Sequence, residues 1–265
     1  MEIKTTRRGI ALAKDDIIAA GDIGAALGLL TRLPIPVDGT WAAARGARAA
    51  WAWPLAGLTL ALIAGLAGSL AHALGLPPAL NAALILALLI ILSGAMHEDG
   101  LADSLDGLWG GWDRTRRLAI MKDSHIGTYG VIGLCLTLLM RWQAIVLLIR
   151  EDLLWAGLIG TGMLSRAAMV GVMWALPGAR DSGLGHGVGR PQGQTTLLAI
   201  GLSALTVILL PGLPALAMLL ICGLVTLGWA SIARARIGGQ TGDILGATQQ
   251  LTEVGLLLTL TASLT

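Results

Sequence analysis

The sequence predicts an all-α fold, a polytopic transmembrane helical bundle, on three observations. Hydrophobic residues fill 55% of the 265 positions and charged residues 13%, against about 25% charged in soluble domains. Long apolar runs recur and are separated by tight turns such as GLPP, REDL and PGLP. The 37 glycines and absence of phenylalanine suit helices whose backbones pack closely in lipid.

The elements follow in order. Residues 1–16, MEIKTTRRGIALAKDD, are basic and lack a directly following hydrophobic signal core; they read as a cytoplasmic tail. Residues 17–33 are apolar but interrupted by Asp22 and Gly28, so an interfacial or re-entrant helix is expected, with a true span as the alternative. Seven spans are expected at 50–76, 79–96, 128–149, 153–176, 195–210, 213–230 and 245–264. The whole chain, 1–265, then forms a single integral membrane domain. Cys135 and Cys222 lie in apolar runs without metal-ligand spacing and are expected to be small buried hydrophobes. The net charge of +2, with no basic aromatic patch, argues against a nucleic-acid partner. The partners expected instead are the lipid bilayer and small molecules; a homo-oligomer is compatible with such a bundle.

Charge orients the bundle. With seven spans, 15 of the 18 Lys and Arg residues fall in the segment before the first span and in the loops 97–127, 177–194 and 231–244. The opposite loops hold Arg150, while Arg141 and Arg166 lie within spans. The positive-inside rule places all of these polar loops in the cytoplasm.

The most polar of them starts a 34-residue stretch, residues 97–130, HEDGLADSLDGLWGGWDRTRRLAIMKDSHIGTYG, holding six of the chain's 16 acidic residues. Asp99, Asp103 and Asp106 stand at i, i+4 and i+7. If the helix of the preceding span runs on through them, they share one face within roughly 60°. Clustered carboxylates repel one another, and a divalent cation relieves the repulsion; oxygen-only ligands suit Mg²⁺ or Mn²⁺. Arg114, Arg116, Arg117 and Lys122 follow and can meet phosphate oxygens. Carboxylates for metal beside cations for phosphate make up a phosphoryl-transfer site. Trp109 and Trp112 read as interfacial anchors able to contact a flat ligand.

Near the last span, GGQTGDILGA offers Gln240 and Thr241 as hydrogen-bonding groups for phosphate or ribose, and Asp243 as a ligand or a helix cap. Intramembrane Glu253 is expected to pair with Arg166. Asp243 is expected within about 4–6 Å of the other carboxylates, while Glu253, roughly 15 Å further along a helix, is too far for the same ion.

The strings HEDGLADSLDG and IMKDSHIGTYG, with TRLPIP near residue 31, SRAA around Ser165 and GGQTGDILGA, closely resemble the cobalamin synthase family, the adenosylcobinamide-GDP ribazoletransferases. The resemblance covers most of the chain. It implies an inner-membrane enzyme of late cobalamin biosynthesis that joins adenosylcobinamide-GDP to α-ribazole or its 5′-phosphate and releases GMP. On that reading Asp99, Asp103, Asp106 and Asp243 hold Mg²⁺, with Glu98 as a further ligand. Arg117, Lys122, Ser165, Arg166, Gln240 and Thr241 contact substrate, and Glu98, Asp123 and His125 are candidate bases. A cation-coupled transporter is the alternative, suggested by Glu253 and Arg166 inside spans.

Overall fold

A computed structural model describes residues 16–264, apart from the side chains of Leu184 and His186; the basic tail before residue 16 lies outside the described residues. Among these residues the fold is helical, and the extended pairing is an isolated bridge between Gly178 and Gln240. Helices α1 (Gly21–Leu30) and α2 (Gly39–Arg45) lead through a 3₁₀ segment (Gly46–Ala52) into α3 (Trp53–Ala73). Next come α4 (Pro78–Ser93), α5 (Met96–Gly110), α6 (Arg114–Ile120), α7 (Thr128–Arg150) and α8 (Leu154–Ala175). A short α9 (Leu184–Val188), α10 (Gly193–Leu209), α11 (Ala215–Ile237) and α12 (Gly242–Ala262) complete the chain.

Among the described residues four helical segments are long and apolar enough to cross a membrane: Gly39–Ala73, α7, α8 and α11; a fifth results if α4 and α5 count as one bent span. The other expected spans differ for separate reasons. At 16 and 17 residues, α4 and α10 are short; roughly 20 residues cross a typical hydrocarbon core. The polar Gln249, Gln250 and Glu253 interrupt α12, and the bundle interior buries all three. Helix α8 is the hub, with 89% of its apolar window buried, whereas α11 is peripheral at 11%. Cys135 is exposed on α7, not buried as expected, and Cys222 is intermediate.

The interrupted stretch 17–33 contains the ten-residue α1, too short to span. Its acidic residue has a structural use. Asp22, fully buried, accepts hydrogen bonds from Arg45 at 2.6 and 2.7 Å and from Trp51 Nε1 at 2.8 Å, locking α1 to the entry of α3.

The helix of residues 79–96 does not continue through the acidic motif. Gly94 and Ala95 both adopt left-handed φ, +68° and +56°. Their N–H groups close the end of α4 on Ile91 and Ile90 carbonyls, a Schellman-type stop. The chain then turns 84° into α5. Arg32 of TRLPIP braces the corner, its backbone N–H donating to the Leu92 carbonyl at 2.7 Å.

Candidate active site

The acidic helix α5 packs along α12. The approach is close because both carry glycine: a Cβ on Gly100 would stand 2.9 Å from the Asp243 carbonyl oxygen and 3.2 Å from Gly246 Cα. This brings Asp99 and Asp243, remote in sequence, to one cavity of about 270 Å³. Its polar wall includes His97, Asp99, Arg180, Gln240, Thr241 and Asp243; Leu29, Leu30, Trp53 and Met169 form an apolar side.

The 176–183 and 238–241 loops are stitched together, with the Ala179 N–H donating to Gln240 O at 2.8 Å and the Gln240 N–H to Pro177 O at 2.9 Å. That pairing aims Arg180 at the site, where its guanidinium donates to Asp243 Oδ2 at 2.9 Å. Thr241, rather than Asp243, caps α12, its Oγ1 accepting the Ile244 N–H at 3.3 Å. Burial pushes the Asp243 carboxyl up, against the opposing pull of Arg180.

Asp103, half-buried, has its carboxyl pushed up to about 7, first by burial and then by the charges of Asp99 and Asp243. Asp106 adds to that field and Arg180 offsets part of it. Thus Asp103 feels carboxylates from both its own helix and α12. Asp106 is already engaged, accepting the N–H groups of Gly127 at 2.6 Å and Gly130 at 2.9 Å at the start of α7. Among the described residues no three His, Cys, Asp or Glu side chains converge closely enough to hold a metal as they stand.

Other expected site residues lie elsewhere. Glu98, one residue before Asp99, turns into the bundle, where it accepts from Arg141 at 2.8 Å and Gln250 at 3.0 Å. Glu253 accepts from Gln249 Nε2; its nearest charged partner is Arg141 at 3.0 Å, and Arg166 reaches it at 3.5 Å. Ser165 and Arg166 are buried in this same network, with Arg166 donating to Ser165 Oγ at 3.2 Å. Arg117 is spent on backbone, donating to the carbonyls of Gly111 at 2.9 Å and Arg236 at 3.0 Å. Lys122, Asp123 and His125 are exposed in the loop after α6. His125 Nδ1 and Asp123 Oδ1 stand 2.6 Å apart. Trp109 stacks on Trp229 with centroids 6.2 Å apart, and Trp112 is exposed.

The cavity contains two groups that the sequence reading had not assigned to the site. Nothing local in the sequence marks Arg180, whose pairing with Asp243 depends on the Gly178–Gln240 bridge. His97, at the start of the acidic motif, is 1% exposed with an unpartnered Nε2. Gln240 Oε1, on the same wall, is also buried without a partner. Buried polar atoms usually have partners, so their presence in a cavity wall marks hydrogen-bonding capacity available to a ligand.

Fold and site together define an integral membrane protein of the helical-bundle class, with an acidic, arginine-flanked cavity built by two packed helices. The profile described as Cobalamin-5-phosphate synthase matches residues 22–261, and the chain belongs to that family. It is 42% identical over 238 residues to an adenosylcobinamide-GDP ribazoletransferase of Bradyrhizobium diazoefficiens, covering 89% of this chain and 92% of the relative. A Brucella anthropi protein of the same name is 41% identical over 258 residues, covering 92% and 97%. One from Mesorhizobium japonicum is 38% identical over 243 residues, covering 92% and 93%. No solved structure matches the chain. Neither the family nor these relatives support a transporter.

Proposed function

We propose that the protein joins adenosylcobinamide-GDP to α-ribazole, or its 5′-phosphate, at the cavity between α5 and α12. In the reaction the acceptor's ribose hydroxyl attacks the cobinamide-side phosphorus, the bond to GMP breaks and GMP leaves. Substrate identities come from the relatives' names and the motif resemblance. The observation carrying the chemistry is the meeting of Asp99 and Asp243 beside Arg180 in one cavity.

The donor set, all carboxylate oxygen, fits Mg²⁺. Asp99, Asp103 and Asp243 would hold it. Asp106 would support them by ordering residues 127–130. Bound there, Mg²⁺ would supply charge neutralisation at the diphosphate. Arg180 faces the same charge with an unpartnered Nε and would hold phosphate oxygens. His97 and Gln240 would orient hydroxyls or a base by hydrogen bonding. On seven crossings, the positive-inside count supports an inner-membrane protein with this cavity facing the cytoplasm, where nucleotides are available.

The test is the full chain in lipid nanodiscs with both substrates. Coupled appearance of cobalamin product and GMP, abolished by EDTA and restored by Mg²⁺, is expected. Equal turnover in EDTA would remove the metal, and no product under any divalent cation would remove the reaction.

A further inference from the structure

Arg141 stands within the apolar helix α7, yet is 2% exposed and has three side-chain partners from two other helices. We infer that Arg141 is a positioning residue, setting the rotation of α5 against α12 and thereby the separation of the carboxylates that each brings to the cavity. The inference rests on the metal-assisted reading of that site.

The bonding is specific. Nη1 donates to Glu98 Oε1 at 2.8 Å on α5 and to Gln250 Oε1 at 2.9 Å on α12. Nε donates to Glu253 Oε1 at 3.1 Å, also on α12, and Nη2 lies 3.0 Å from the same oxygen. Gln250 Nε2 closes the ring by donating to Glu98 Oε1 at 3.0 Å. Glu98 and Asp99 are consecutive, so they project about 100° apart on the helix. Holding Glu98 against Arg141 therefore fixes the direction in which Asp99 and Asp103 point. Gln250 and Glu253 hold α12 beyond Asp243 in the same way. The glycine contact between Gly100 and Asp243 leaves little slack between the helices, so a small rotation moves carboxylates rather than being absorbed.

A planar guanidinium with five donors can serve all three partners together; an ammonium cannot do so from one point. Arg141→Lys keeps the buried charge while loosening the geometry. Glu98→Gln is a second variant, should the first fail to insert. The measurement is Mn²⁺ binding to the full-length protein in nanodiscs by electron paramagnetic resonance, with thermal unfolding of each variant alongside. We expect a rise in the Mn²⁺ Kd of about 10-fold or more, the usual effect of losing support behind a ligand, in a variant whose unfolding temperature stays near wild type. A folded variant binding Mn²⁺ as tightly as wild type overturns the positioning role alone. A wild type that binds no Mn²⁺ overturns the metal reading and this inference with it.

Discussion

At the scale of single residues, this chain uses charge inside its bundle in two ways: some pairs hold helices together, and others face a cavity. Asp22 belongs to the first. Replacing it with alanine leaves the Arg45 guanidinium, 3% exposed, without its carboxylate partner, and removal of one partner of a buried pair commonly destabilises by about 3–5 kcal/mol. Thermal unfolding of Asp22→Ala should show a clear drop; an unchanged midpoint would mean the pair contributes nothing. The exposed Asp123–His125 pair behaves differently. Its hydrogen bond raises the His125 pKa above the ordinary 6.5 and lowers that of Asp123. The charge-assisted contact is therefore complete at mildly acidic pH and fades as pH rises through the raised His125 value. An NMR titration should find His125 above 6.5, moving back towards it in Asp123→Asn. Asp99 and Asp243, which line the cavity, stood out in the sequence because carboxylate spacing and glycine neighbours are local signals. The roles of Arg141 and Arg180 were not, because their partners come from other helices and only packing reveals them. For the same reason Arg117 looked like a phosphate ligand in the sequence, when it serves backbone carbonyls across the fold.

At the scale of elements, the apolar runs located most helices, and the expected end of the 79–96 span falls at the break between α4 and α5; what hydropathy could not give is the 84° turn there. Ala95 made that turn hard to see, since a left-handed alanine is rare. The break matters because α5 can then lie along α12 instead of continuing across the membrane. Helix α12 hid its nature too: its polar residues face α5, α7 and α8, so a segment read as a lipid span is largely an interior helix. Contact between α5 and α12 depends on Gly100. Gly100→Leu would place side-chain atoms where Asp243 backbone now lies, pushing the helices apart. Overpacking of this kind typically destabilises by about 1–3 kcal/mol. Both the unfolding temperature and the Mg²⁺ requirement should worsen in that variant, whereas a wild-type Mg²⁺ requirement would show that the close approach is not needed at the site.

At the scale of the whole molecule, the orientation argued from Lys and Arg rests on seven crossings and is independent of the packing that brings Asp99, Arg180 and Asp243 to one cavity. Single cysteines placed in the 97–127, 177–194 and 231–244 loops of a variant lacking Cys135 and Cys222 should resist an impermeant maleimide in intact spheroplasts and react after lysis. Labelling from outside would invert the topology and put the cavity on the wrong face for cytoplasmic nucleotides. The central claim is that carboxylates from α5 and α12 act as one site. The most direct measurement is GMP release from adenosylcobinamide-GDP in the presence of α-ribazole by Asp99→Asn, Asp243→Asn and the double variant. Each single change should slow turnover on the order of 10³-fold, with the double variant little slower than the worse single, as groups acting as a unit behave. Near-wild-type turnover in either single variant, or two losses that simply multiply, would contradict a shared site.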